Sequence, residues 1–196
     1  DCSSLTEIMI PSSVNKIGFR TFKNCISLKK IVISSSSITT IECETFYGCK
    51  SLIEIQIPSS ITCIDDSAFY ECSSLKEIII PSFVRKICYR AFGKCSSLTK
   101  ITFKKPNLVY FFGPHVFSDC SSLIEISIPS SVSTIYEYSF SFCKSLVNVN
   151  IPLSVKSIKK YAFSDCSSLS HIKIPSSVSI DEDAFIRCKN ISIEKI

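Results

Sequence analysis

A unit of 23 residues recurs along the whole chain, and each copy opens with a cysteine. Successive copies of this cysteine are separated by 23, 24, 23, 23, 25, 23, 23 and 22 residues. The column consists of Cys2, Cys25, Cys49, Cys72, Cys95, Cys120, Cys143, Cys166 and Cys188. Repetition at a period of roughly 20 to 50 residues is typical of a solenoid, in which stacked units share one core. The period therefore predicts a single elongated domain over residues 1–196 with eight full coils.

Each unit contains two short apolar segments. In the copy at residues 120–142, Leu123, Ile126 and Ile128 are separated by polar or outward residues, as in a short strand with one buried face. Pro129 follows this strand, and it suits a strand end because it has no N–H to donate. A second apolar segment comes after the proline. The remainder of the unit is expected to return to the next cysteine through a short helical turn.

The combined pattern Phe-x-x-Cys-x-x-Leu-x-x-Ile-x-Ile-Pro resembles the leucine-rich repeat, and specifically the 23-residue BspA-like class. The Ala-Phe-x-x-Cys segment of that class is present at residues 68–72, 91–95 and 162–166. This resemblance covers the whole chain in eight full copies. It implies a leucine-rich-repeat solenoid, a strand-rich α/β superhelix whose first strands line a concave face.

The same resemblance implies that outward side chains of the concave strands form the binding surface. Charges of opposite sign are adjacent at four places in one of the two outward columns, so that much of this column can equally serve to hold adjacent strands together. On this basis we expect a protein-binding surface on the middle coils at Glu54, Gln56, Glu77, Ile79, Lys100, Thr102, Glu125 and Ser127.

The fifth unit carries the largest departure from the repeat, with two extra residues in the turn at 104–108. The insertion is followed by Tyr110 and Phe111, which occupy columns that hold polar residues in other units. With Lys104 and Lys105, these aromatic residues could form an exposed contact patch. The alternative is that the longer loop folds over them as a small local core. The sequence leaves both open.

Charge and hydropathy exclude two classes of partner. The chain has 22 basic and 17 acidic residues, and its longest basic runs are pairs. Proteins that bind nucleic acid instead concentrate their basic residues on one face. No apolar run approaches the length of about 18 residues that a membrane-spanning helix requires. We therefore expect neither nucleic-acid binding nor membrane insertion within this segment.

Nine of the twelve cysteines belong to the repeating column, and no C-x-x-C pair is present. Zinc sites usually contain cysteines about two to four residues apart. The sequence thus predicts no metal site and no cofactor. We interpret the column as small apolar thiols that face the core, with a ladder of disulfides as the alternative. Cys43, Cys63 and Cys88 lie in three other columns and are expected to be more accessible.

Catalytic motifs are missing from the sequence, and its two histidines lie in different columns about two repeats apart. The leading hypothesis is a non-enzymatic protein-binding or adhesion module of a surface or secreted protein, with a host or matrix protein as its ligand. The alternative is an intracellular scaffold in the cytoplasm. Because the repeat starts and stops inside a unit, the chain is also expected to be a segment of a longer protein.

Overall fold

Two ladders of short parallel strands run along the solenoid. The computed structural model describes residues 2–196, and we number its coils 1 to 8 from their first cysteines. The first ladder contains β1 (Glu7–Ile10), β2 (Lys30–Ile33), β4 (Glu54–Ile55), β6 (Glu77–Ile80), β8 (Lys100–Phe103), β10 (Glu125–Ser127), β12 (Asn148–Asn150), β14 (His171–Ile174) and β16 (Ser192–Lys195). The second ladder contains β3 (Thr40–Ile41), β5 (Cys63–Ile64), β7 (Lys86–Ile87), β9 (Phe111–Phe112), β11 (Thr134–Ile135), β13 (Ser157–Ile158) and β15 (Ser179–Ile180).

Equivalent residues of neighbouring coils lie side by side in both ladders. Ile78 of β6 pairs with Ile101 of β8, and the strands are parallel. Along β6, Ile78 and Ile80 are buried whereas Glu77 and Ile79 are exposed. This alternation sends every second side chain into the shared core. The repeat register and the strand assignment of the predicted solenoid are therefore confirmed.

The third segment of each coil is a series of turns. The described residues contain no helix, so the expected helical turn is not confirmed. In coil 4, the amides of Arg90, Phe92 and Lys94 donate to carbonyls of the next coil, whereas those of Ala91 and Gly93 donate to carbonyls three residues earlier. Arg90 and Lys94 also have φ of 52° and 57°. A left-handed residue interrupts a helix, and the alternating amides instead form a third line of bonds between coils. Residues 2–196 contain no apolar helix of the length that a membrane crossing requires.

A column of stacked phenylalanine rings fills the core behind these turns. Ring centroids of successive coils are 5.2 to 5.6 Å apart. The column consists of Phe22, Phe46, Phe69, Phe92, Phe117, Phe140, Phe163 and Phe185. Each inner ring packs against the ring of the coil on either side, so that the stack ties every coil to its neighbours.

The repeating cysteines also link one coil to the next. Cys120 Sγ donates to the carbonyl oxygen of Phe92, near the end of coil 4, over 3.2 Å, and the same carbonyl accepts the N–H of Cys95, which opens coil 5. Equivalent bonds of 3.0 to 3.2 Å recur along the column. This position requires a small side chain that is mostly apolar and still donates a weak hydrogen bond, which describes a thiol. All twelve cysteines are free.

Burial makes seven of the nine ladder thiols unreactive in the folded protein. It raises the pKa of Cys49 to about 12 and that of Cys120 well above the usual value, so that little nucleophilic thiolate forms near pH 8. In a titration of native protein with a thiol reagent, we expect reaction only at Cys2, Cys43, Cys63, Cys88 and Cys188. Unfolding without a reductant should release the remaining seven thiols, and their failure to appear would show that the ladder is bridged.

Candidate functional site

The two outward columns of the first ladder form one exposed face. Glu77 and Ile79 on β6 are exposed, as are Lys100 and Thr102 on β8 and Glu125 and Ser127 on β10. In coil 3, Glu54 and Gln56 occupy the equivalent positions and are also exposed. The structure thus places all eight residues of the expected surface on one exposed face of the first ladder, which is the face expected to be concave.

Charges in the middle of this face are neighbours without being ion-paired. Glu77 and Lys100 are register partners, but among the described residues neither forms a salt bridge within 4.0 Å. At the last coil, by contrast, His171 and Lys173 approach Glu194 at 3.3 and 3.2 Å. The middle coils therefore present charged groups to solvent, and an external ligand could bind them.

A depression of about 560 Å³ lies on this face across coils 5 to 7. The loop inserted in coil 5 supplies Lys105 and Asn107 to its lining, and both residues lie next to strand residues of the concave columns. The polar strand residues that line it are Lys100, Thr102, Glu125, Ser127, Asn148 and Asn150. The irregular loop and half of the expected surface thus meet in one place.

Hydrogen bonds hold the inserted loop against coil 4. The amide of Lys104 donates to the carbonyl of Ile80 over 2.9 Å. The Ser82 hydroxyl donates to the carbonyl of Lys105 over 3.1 Å, and Asn107 Oδ1 accepts the amide N–H two residues later. The loop is therefore anchored on both sides of the turn, which places Lys105 beside the strands.

The aromatic residues after the insertion lie in another part of the coil. Phe111 belongs to the second ladder and packs against Tyr136 with ring centroids 5.4 Å apart. Tyr110 is about half exposed, and neither residue lines the depression. The structure therefore brings Lys105, but not Tyr110 or Phe111, to the concave columns. Lys104 is exposed at the start of the loop.

The expected binding surface is limited to the middle coils and does not include Asn107, Asn148 and Asn150. The two strand asparagines stand in the same outward columns as Glu125 and Ser127, one coil further along. Continuing those columns beyond coil 6 would have included them. Asn107 had no comparable signal, because the path of an inserted loop is not fixed by the repeat.

A second depression, of about 470 Å³, lies along the turns that precede and follow the repeating cysteines. Its lining alternates in charge and includes Glu71, Lys94, Asp119 and Lys144. Lys94 Nζ lies 3.3 Å from Glu71, and hydrogen bonds to Tyr70 and to Glu71 raise the pKa of Lys94. Because Lys94 and Glu71 already pair with each other, this surface offers fewer free charges to a ligand than the first-ladder face does.

Comparison with known proteins agrees with the architecture. No curated protein matches the chain. A leucine-rich repeat protein from Bacteroides ovatus ATCC 8483 has a similar structure, with a TM-score of 0.87 and 32% identity over 99% of this chain and 52% of that chain. The T. pallidum leucine-rich repeat protein has a TM-score of 0.75 and 27% identity, over 83% of this chain and 77% of that chain. A leucine-rich repeat protein from Eubacterium ventriosum ATCC 27560 has a TM-score of 0.66 and 25% identity, over 96% of this chain and 60% of that chain.

The present chain thus spans about half the length of the Bacteroides protein. At the level of sequence, it matches the family described as BspA type leucine-rich repeat region, in six copies over residues 1–121 and 103–196. The matched ranges together include every coil described above. The chain belongs to the BspA-type leucine-rich repeat family.

Proposed function

We propose that this solenoid is a non-enzymatic module that binds a protein ligand on the concave face of coils 5 to 7. Leucine-rich repeat proteins are generally non-enzymatic, and membership of the family suggests a role in protein interaction. The observation that carries the proposal is the depression between the inserted loop and the concave strands. Coil 5 is the unit with the longest insertion, and its loop lies beside the exposed columns of the first ladder.

The lining of the depression favours a ligand with mixed polarity. Lys100 and Lys105 supply positive charge, Glu125 supplies negative charge, and Asn148 and Asn150 supply amides that both donate and accept hydrogen bonds. A peptide segment or protein loop with charges of both signs satisfies such a surface. Complementary charges of this kind increase the association rate and the specificity of protein binding.

The surrounding protein is proposed to act at the cell surface or outside the cell, where its ligand would be a host or matrix protein. The resemblance to BspA-like surface proteins supports this location. An intracellular scaffold is the second candidate, and the observation in its favour is that the buried thiols are free. Such thiols do not require an oxidising compartment.

Charge reversal at the depression tests where the ligand binds. The wild-type protein would first be screened by biolayer interferometry against purified extracellular-matrix and cell-surface proteins. For any protein retained, Lys100→Glu and Glu125→Lys should each weaken binding by about tenfold or more, because removing a charged contact in an interface typically costs about 2 kcal/mol.

Lys144→Glu serves as the control, since Lys144 is exposed but lies in the depression along the turns. It should bind like the wild type. Retention of no matrix or cell-surface protein by a chain that circular dichroism shows to be folded would argue against the extracellular role. Equal binding by all variants would argue against the concave site.

A further inference from the structure

Two cysteines outside the core ladder come together with two aspartates on the outer face of the second ladder. Cys63 Sγ and Cys88 Sγ are 3.9 Å apart. The sulfur of Cys88 and one carboxylate oxygen from each of Asp65 and Asp66 lie within 4.8 Å of one another. From this geometry we propose that the four side chains form a site for a zinc-type divalent metal ion between coils 3 and 4.

The strand register explains how residues so far apart in sequence meet. Cys63 is the first residue of β5 and Asp65 follows its last residue, so that both side chains are on the outer face of the strand. In the next coil, the amide of Cys88 donates to the carbonyl of Ile64 over 2.9 Å. This bond fixes Cys88 beside Asp65 and diagonal to Cys63.

The distance between the two sulfurs agrees with tetrahedral coordination. Zinc binds thiolate sulfur at about 2.3 Å and carboxylate oxygen at about 2.0 to 2.2 Å. For a tetrahedral angle, these bond lengths place two sulfurs about 3.8 Å apart. The sulfurs of Cys63 and Cys88 are already separated by 3.9 Å. Cys63 lies outside the group of ligand atoms within 4.8 Å of one another, so coordination by all four side chains requires Cys63 and the two carboxylates to rotate toward one centre.

The carboxylates are oriented by neighbouring amides. Asp66 Oδ1 accepts the amide N–H of Tyr89 over 2.9 Å, and Asp65 Oδ1 accepts that of Asp66 over 2.9 Å. Each carboxylate keeps a second oxygen for a metal. Hydrogen bonds to ligand side chains hold them in position and strengthen metal binding.

The ligand set selects the kind of ion. Thiolate ligands favour zinc and other soft or borderline ions, whereas calcium and magnesium require sites made of oxygen ligands. Two thiolates and two carboxylates leave the complex negative, and Lys86, the register partner of Cys63, lies close enough to offset part of that charge. Binding must release protons, because both thiols lose theirs when they coordinate.

The cluster is specific to these two coils. The residues equivalent to Cys63 in other coils are Thr40, Lys86 and Phe111. The sequence predicts no metal site, because its cysteines lack zinc-type spacing. Cys63 and Cys88 are 25 residues apart, and only the stacking of coils makes them neighbours.

Cobalt and zinc titration of the whole chain tests the site. Reduced protein titrated anaerobically with Co²⁺ should develop the charge-transfer and visible bands of a tetrahedral cobalt thiolate, saturating at one equivalent. Zn²⁺ should displace the cobalt and raise Tm, since a ligand that binds only the folded state stabilises it. Cys63→Ser and Cys88→Ser should each lower the Zn²⁺ affinity by at least about 100-fold, measured by competition with a chromophoric chelator.

Cys43→Ser provides the control, because Cys43 is similarly accessible but lies one coil away and outside the cluster. It should bind both metals like the wild type. The proposal is overturned if reduced wild type gives no cobalt–thiolate bands, or if Cys63→Ser and Cys88→Ser bind as tightly as the wild type. It is also overturned if mass spectrometry of protein isolated without reductant shows Cys63 and Cys88 joined as a disulfide.

Discussion

Replacing Phe92 with alanine will lower the free energy of unfolding by about 3 to 5 kcal/mol, the cost of emptying a large buried aromatic site. Phe92 is fully buried. Its ring stacks on Phe69 at 5.2 Å and on Phe117 at 5.6 Å. The coils on both sides therefore lose contacts, and rigid strands on each side limit how far the cavity can collapse. Urea unfolding followed by circular dichroism measures the difference.

Phe19→Ala is the matched control for this change. Phe19 lies at the start of the equivalent turns of coil 1 but is 67% exposed, so that its replacement should change stability by less than about 0.5 kcal/mol. A loss for Phe92→Ala as small as that of the control would contradict the role of the stacked rings. Because each coil is stabilised mainly by its neighbours, Phe92→Ala should also reduce the cooperativity of unfolding.

The second large effect on stability is expected from replacing a glycine with alanine at Gly113. Gly18 occupies the same column of the repeat, and the same replacement there should act differently. A Cβ on Gly113 would lie 2.6 Å from the backbone carbon of Cys88 and 2.6 Å from the backbone nitrogen of Tyr89. A Cβ on Gly18 would lie no closer than 3.6 Å to Thr21 Oγ1. Gly113→Ala must therefore push two coils apart, and we expect it to cost about 1 to 3 kcal/mol.

Gly18→Ala should change the free energy of unfolding in the opposite direction. Its backbone does not require the left-handed region, so alanine mainly reduces the entropy of the unfolded chain and should stabilise the protein by about 0.4 to 1 kcal/mol. Chemical denaturation of the two variants in parallel tests the pair. Equal effects in both would show that the close approach at Gly113 does not limit packing.

Much of the fold follows from the repeat itself. The positions of Phe, Cys, Leu and the paired isoleucines predict which side chains are buried, and the structure buries most of them, with members of the first and last units such as Cys2 and Cys188 as exceptions. The segment before each cysteine is different. It contains apolar residues and no proline in most coils, as a helical turn would, yet two of its residues in each of coils 1 to 7 have left-handed φ, as at Arg90 and Lys94. Hydrogen bonds to the next coil favour that conformation, and they have no counterpart in a single unit.

The candidate sites also combine features that one repeat unit predicts with features that depend on contacts between coils. The concave columns could be predicted from the alternation along one strand, which is a local property. The meeting of Lys105 with Glu125 and Ser127, the separation of Lys105 from Phe111, and the approach of Cys63 to Cys88 all involve residues on different coils or different faces of one coil.

The sequence by itself determined the period, the buried columns and the outward columns, because each of these depends on spacing within one unit. Only the tertiary structure decided which glycine is crowded, where the inserted loop lies and which cysteines meet. The physical reason is that these features arise from the lateral register between coils, and a chain's local preferences do not specify which atoms of the next coil will lie beside them.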